Sequence, residues 1–372
     1  MNLSYWEIQT WLKNIDFTVI GSGIVGLNCA LQLKQKHPKS RVLVLEKGML
    51  PQGASTKNAG FACFGSLSEI IEDLKSHSEE EVLKLIQKRL DGLHILRQNL
   101  GDDTIGYKQH GGYELFTKAD AELYEICLDQ RDTINRLLEP ILKDTVFQVK
   151  PNNFNFQNIQ ENLIYNPFEG QIHTGNMMEA LLHKAQSAGI KILNNCVVEN
   201  FSEDGSGVHI KTDQFQFRTG KLCIATNGFA SQFIKEEVKP ARAQVLITKP
   251  IKKLHIKGTF HLDKGFYYFR NINDRILFGG GRNLDFKGEE TTRMEQTELI
   301  QNELERLLKT TILPHTDFEI DHRWSGIMGV GSKKEAIVKP LSDHVFCGVR
   351  LGGMGVAIGS LVGKELADLA TL

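Results

Sequence analysis

The stretch Asp16 to Gly26, Asp-Phe-Thr-Val-Ile-Gly-Ser-Gly-Ile-Val-Gly, constrains this chain more than any other. Phe17, Val19 and Ile20 are aromatic or β-branched and too few for a helix, so they predict a central strand of a parallel sheet, covered on both faces. Three glycines follow. Gly21 suits a sharp turn, Gly23 lets the backbone come up against a pyrophosphate, and Gly26 lets the next helix pack close to the strand. That helix is readable in the stripe Ile24, Leu27, Leu31 and Lys34, with His37-Pro38 to end it. The amides at its start, Ser22, Ile24 and Val25 included, are candidates to face the phosphates.

Glycines cluster in many turns, so the context decides. Arg41-Val-Leu-Val-Leu predicts a second strand, and it ends at Glu46-Lys47. An acid at that place, about 20 residues past the last glycine, accepts hydrogen bonds from a ribose hydroxyl. The loop that follows, Gly53-Ala-Ser-Thr-Lys-Asn-Ala-Gly-Phe-Ala-Cys-Phe-Gly, is small and polar at first and apolar at its end. Ser55, Thr56 and Asn58 suit phosphate and ribose; Ala59, Gly60 and Phe61 suit a flat ring system.

The glycine triad, Glu46-Lys47 and the Ala-Ser-x-x-Asn-Ala-Gly segment together resemble the D-amino-acid oxidase superfamily of FAD enzymes, which includes glycine oxidase and sarcosine oxidase. The resemblance extends to the C-terminus, where Gly352-Gly353-Met354-Gly355-Val356 matches the family's second glycine motif. There the backbone amides face the pyrimidine end of the reduced ring. It implies further that Val198 touches the adenine and that Ala225-Thr226-Asn227-Gly228 lies against the cofactor. Relatives of the sarcosine oxidase type attach FAD through a Cys; the corresponding place here is Ile327 or Met328, so FAD is expected to be held non-covalently.

The remaining pattern fits an α/β fold. Residues 66–100 and 119–138 have helical spacing, 111–116 alternates as a strand, and 170–185 begins another helix before a strand from Gly189. Asp204-Gly205 turns a hairpin, and 221–230 reads as a buried strand with a small-residue end. Period two dominates from Pro240 to Arg282, which predicts an antiparallel sheet, and 292–308 is a charged surface helix. We therefore expect a discontinuous Rossmann-type FAD-binding domain over 1–85, 151–230 and 322–372. A substrate-binding cap rich in antiparallel β-structure, 86–150 and 231–321, is inserted between its parts. Tyr5, Trp6, Ile8, Trp11 and Leu12 have helix spacing and are expected to lie against the body; a membrane contact is the alternative, though the segment lacks the basic face it needs.

Composition sets the outer limits. The 372 residues predict two domains or one with large insertions. With 44 Lys+Arg against 45 Asp+Glu, the net charge of −1 gives no field for nucleic acid or an anionic membrane. No run of about 18 apolar residues and no secretory leader pattern occurs, so no transmembrane segment and a cytoplasmic location are expected. The six cysteines form no CxxC and no zinc-like spacing with His, so buried free thiols and no metal site are expected.

The implied reaction is oxidation of the C–N bond of a small amine or amino acid by hydride transfer to flavin, with oxygen or another acceptor taking the electrons. A neutral amine can lose hydride directly, so no catalytic acid or base is nominated. A substrate carboxylate needs a cation. Glycine oxidase has Trp-Ala-Gly-Leu-Arg where this chain has Trp324-Ser-Gly-Ile-Met328, and its second arginine falls on Gly353. Arg270, Arg323 and Arg350 remain as candidates, with Tyr267; Tyr267 and Tyr268 must point to opposite faces of their strand. The alternatives are an FAD-dependent 2-hydroxyacid oxidoreductase, an NAD-dependent dehydrogenase, and a non-catalytic or accessory flavin-binding protein.

Overall fold

A computed structural model describes residues 2–372. Strand Ile15–Ile20 lies at the centre of the first sheet, parallel to Val42–Leu45 on one side and to Gln216–Ile224 on the other. The sheet runs in the order Ile337–Pro340, Val345–Val349, Gln216–Ile224, Ile15–Ile20, Val42–Leu45, Lys191–Leu193. A hairpin, Val198–Asp204 with Gly207–Thr212, is carried antiparallel on Gln216–Ile224.

Alternation along these strands feeds two cores. Val19, Val44 and Cys223 face the helices Ile24–Lys36, Thr174–Ser187 and Gly355–Ala370. Ile20, Leu43, Leu45, Leu222 and Ile224 face the hairpin and the segment around Ile234 and Val238. Both faces are covered, and the central stretches Val19–Ile20, Val42–Leu45 and Leu222–Ile224 are accordingly apolar.

The second sheet runs Ile320–Val330, Lys239–Thr248, Arg275–Gly280, Tyr267–Ile272, Thr259–Leu262, Gly112–Leu115, Asn162–Asn166, Gln148–Pro151. Its pairings are antiparallel except where Thr259–Leu262 meets Gly112–Leu115. Leu246, Phe260, Phe269 and Phe278 pack on its far face against Ile300 and Leu304 of the helix Glu298–Leu307. Arg242 and Glu289 form a buried bidentate ion pair beside them, at 2.8 and 2.6 Å.

These pairings move the expected boundaries. Asn162–Asn166 and most of Ile320–Val330 hydrogen-bond within the second sheet, although residues 151–230 and 322–372 were assigned to the first domain; Gln148–Pro151, all but its last residue in the expected cap, joins the same sheet. Pairing partners, and not local alternation, decide which sheet a strand joins. Helix Glu79–Leu100 moves the other way: its Gly92 lies so close to Gly355–Ala370 that a Cβ there would overlap the Ala357 carbonyl oxygen, and Leu96 joins the first core.

The N-terminal turn also departs from expectation. A Ser4–Glu7 capping box starts it, but only Leu12 is buried. Tyr5 and Trp6 are 65% and 74% exposed, so the aromatic side does not lie against the body. Among the described residues, no helix is long and apolar enough to cross a membrane.

Candidate functional site

Between the two sheets lies a cavity of about 720 Å³ whose wall includes Gly21 and Gly23 from one end of the chain and Gly352 to Val356 from the other. Local sterics build the first end. Gly21 has φ +102°, and a Cβ on it would stand 2.8 Å from the Ala225 carbonyl oxygen. Gly26 sits behind the wall, where a Cβ would overlap the Gly21 carbonyl oxygen, so its role is the close approach of helix to strand.

Ser22 also stays behind the wall. Its amide and hydroxyl both donate to Glu46 Oε2, at 3.0 and 2.8 Å, while the Gly48 amide donates to Glu46 Oε1 at 3.0 Å. Glu46 is thus fixed in the wall as a buried carboxylate. Ile24 and Val25 reach the cavity, and the Ile24 amide donates to Ser55 Oγ at 2.9 Å. Lys47 lies over the Phe229 ring, 3.3 Å from its centroid.

The loop after the second strand behaves unevenly. Ser55, Asn58, Ala59, Gly60 and Phe61 line the cavity, whereas the Thr56 hydroxyl turns back to donate to the Pro51 carbonyl at 2.7 Å. Asn58 shapes the loop itself, its Oδ1 accepting from the Gly60 amide and from Thr174 Oγ1. Phe61 stands edge-on to His261 and to Tyr268, at 5.3 and 5.7 Å between centroids. Val198, Ala225, Thr226 and Asn227 line the wall; Gly228 lies behind it against the Met328 backbone. Asn227 Oδ1 accepts from the Leu351 amide, tying this turn to the C-terminal glycines.

The candidate substrate residues fare differently. Tyr267 points into the core of the second sheet and its neighbour Tyr268 faces the cavity, as strand alternation demands of one of them. Arg270 is buried behind the wall, donating to the carbonyls of Ala59 and Ile172, so it is a strut between the halves. Arg323 pairs with Gln301 and Glu305 outside the cavity. Arg350 does line the cavity, but its Nε and Nη1 donate to the carbonyls of Glu335 and Glu237. The two places where glycine oxidase has arginine meet here as an apolar contact, Met328 Sδ lying 3.9 Å from the Cβ position of Gly353.

Cys63, Glu69, Arg89, His261, Lys264 and Arg282 also line the wall. None of these was named as a site candidate from the sequence. Arg282 follows directly on Gly279-Gly-Gly281 at the end of a predicted strand, a signal that was available. Its guanidinium is half-buried over the Phe286 ring, 4.8 Å from the centroid, and forms no ion pair among the described residues. Burial holds its pKa below the ordinary arginine value.

His261 Nε2 lies 2.9 Å from Glu169 Oε2, which also accepts from Thr259 Oγ1 at 2.8 Å. Burial disfavours the imidazolium, but the Glu169 carboxylate overrides it and raises the His261 pKa to about 9. The Cys63 thiol lies in the same cluster, all three ligand atoms being within 4.8 Å. Burial first, then Glu169, pushes this thiol well above its ordinary value and keeps it protonated.

The wall suits a dinucleotide carrying a flat ring. Helices Ile24–Lys36 and Gly355–Ala370 both begin at it with no side chain of their N-cap residues, Gly23 and Met354, bonded to them; Ser55 takes the Ile24 amide, and the other first-turn amides are left for phosphate and for an electron-rich ring edge. A Cβ on Gly23 would stand 2.7 Å from Ser55 Oγ, and the buried Thr226 hydroxyl lacks a partner. Apolar groups form the wall around Phe61, Tyr268 and Met328.

Known proteins resemble this chain in sequence and in fold. The family model described as FAD dependent oxidoreductase matches residues 16–369. A probable oxidoreductase, OrdL, of Haemophilus influenzae is 20% identical over 96% of this chain and 83% of its own length. Glycine oxidase of Geobacillus kaustophilus is 26% identical over 71% of this chain and 69% of its own. The crystal structure of glycine oxidase from Geobacillus kaustophilus superposes with a TM-score of 0.76, covering 96% of this chain and 94% of that one at 20% identity.

Proposed function

The chain belongs to the family of FAD dependent oxidoreductases, and from that premise we propose that it oxidises the C–N bond of a small amine or amino acid. Bound FAD supplies a hydride acceptor; the protein supplies alignment and electrostatics. The observation that carries the choice of C–N over C–O is His261. Oxidising a hydroxyl needs a base for its proton, and the cavity's imidazole is committed to Glu169 and holds its proton up to about pH 9. An amine that enters the site already deprotonated asks for no such base. Its lone pair assists departure of the hydride from the adjacent carbon, and water then hydrolyses the resulting iminium to a carbonyl compound and an amine.

Substrate is held between the flavin half and the second sheet. Tyr268, Phe266 and Met328 offer apolar contact, and Arg282, in place of the arginines that glycine oxidase has where this chain has Met328 and Gly353, pairs with a carboxylate. FAD is held without a covalent bond, in keeping with the protonated Cys63 thiol and with Cys347, which is buried in the strand Val345–Val349.

Anaerobic addition of amines, amino acids and 2-hydroxyacids to the yellow protein tests this. Amines or amino acids should bleach the visible flavin bands, and acid precipitation should leave the colour in the supernatant. Bleaching by hydroxyacids alone would defeat the C–N assignment. For a substrate bearing a carboxylate, Arg282→Met should raise KM by the roughly 2 kcal/mol of a charged hydrogen bond, about 30-fold, with an uncharged amine unaffected.

A further inference from the structure

Arg89 is only 6% exposed, yet it lines the cavity and forms no ion pair among the described residues. Its Nη1 donates to the Phe64 carbonyl at 2.6 Å and its Nε has no partner. A charge taken out of water is stable only when something opposite meets it, and here the chain leaves that partner unsupplied. The groups around it do not fill the gap. Glu69 and Asp73, both on the helix Leu67–Leu74, act on it only from a distance. Glu69 is occupied in capping the Ser66 amide, Asp73 pairs with Lys334, and the neighbouring Cys63 thiol is protonated.

Its position says which charge would complete it. Arg89 stands one turn before Gly92, the residue that lets Glu79–Leu100 pack against the first turns of Gly355–Ala370. That second helix opens uncapped onto the same cavity, so the guanidinium and the helix N-terminus add positive potential to one wall. The bond to Phe64 holds the guanidinium in place beforehand, which is what makes a fixed charge effective. The substrate's own anion has a separate unpaired cation, Arg282, on the second sheet's side.

We propose that Arg89 is the electrostatic partner of the reduced flavin, offsetting the negative charge the ring acquires when it takes two electrons and one proton from substrate. This rests on the reading that FAD lies between the two glycine ends of the chain. It makes Arg89, on a helix of the expected cap, a determinant of how readily the flavin is reduced.

Potentiometric titration of the FAD-loaded protein tests it. Arg89→Gln keeps a donor for Phe64 and removes the charge; Arg89→Lys keeps the charge. The Gln variant should hold reduced FAD at least tenfold less tightly relative to oxidised FAD, a fall of about 30 mV in the two-electron midpoint potential, with Lys within threefold of the parent. A Gln variant at the parent potential overturns the proposal, as does a Lys variant that falls as far as Gln. Should the Gln variant fail to fold, the parent protein decides. An anionic reduced ring gives a slope of about 30 mV per pH unit from about pH 5.5 to 7, and twice that slope marks a neutral ring and overturns the proposal. Neither readout uses substrate, so failure here leaves the C–N reading intact, and absence of amine turnover leaves this proposal standing. A chain that takes up no FAD ends both.

Discussion

His261 keeps its proton inside the protein because Glu169 stands 2.9 Å away, and this has a consequence for stability. Its folded pKa of about 9 lies above the ordinary 6.5, so the stabilisation is complete below about pH 6.5 and is lost as pH rises through 9. At most about 3 kcal/mol is at stake. Thermal melts between pH 6 and 9.5 should show Tm falling with pH, and Glu169→Gln should flatten that fall; an unchanged slope in the variant would remove the pair as its source. Residue identity was the least legible level of this site. Tyr267 and Tyr268 are chemically alike in the sequence, and only the register against Arg275–Gly280 and Thr259–Leu262 decides which one meets the cavity. Arg270 was equally ambiguous, since the carbonyls it serves belong to residues about 100 and 210 positions away.

Elements were legible where the constraint is local. Within the turn from Ile15–Ile20 into Ile24–Lys36, the overlap of Gly26 with the Gly21 carbonyl oxygen spans only five residues, so the glycine spacing announced the turn. The same overlap makes a prediction. Gly26→Ala places a methyl group on the Gly21 carbonyl oxygen and should cost about 3 kcal/mol or more, seen as a lower Tm and loss of copurifying flavin. Gly205→Ala, at the exposed hairpin turn where a Cβ meets nothing within 4 Å, should leave both within error of the parent. Two equal variants would show that backbone crowding at Gly26 is not what fixes this turn. By contrast, Asn162–Asn166 is a short run with three apolar or aromatic residues in succession and no clear period. Its membership of the second sheet comes from pairing with Gly112–Leu115 about 50 residues earlier, which periodicity does not encode.

At the scale of the molecule, Arg270 joins the halves. It reaches from Tyr267–Ile272 in the second sheet to the carbonyls of Ala59 and Ile172, and burial lowers its pKa to about 10. Arg270→Met leaves both carbonyls unpaired in the interior and should cost about 3 kcal/mol while loosening the loop that carries Asn58 to Phe61. Flavin retention on gel filtration and denaturant melts would report this; full retention with parental stability would show the halves are joined without it. The order of strands has its own consequence. Residues 15–45, 191–224 and 337–349 build one sheet and 112–166, 239–280 and 320–330 build the other, so the polypeptide passes back and forth between them four times. No contiguous piece of the gene encodes either half, and neither can be excised, exchanged as a cassette or inherited apart from its companion.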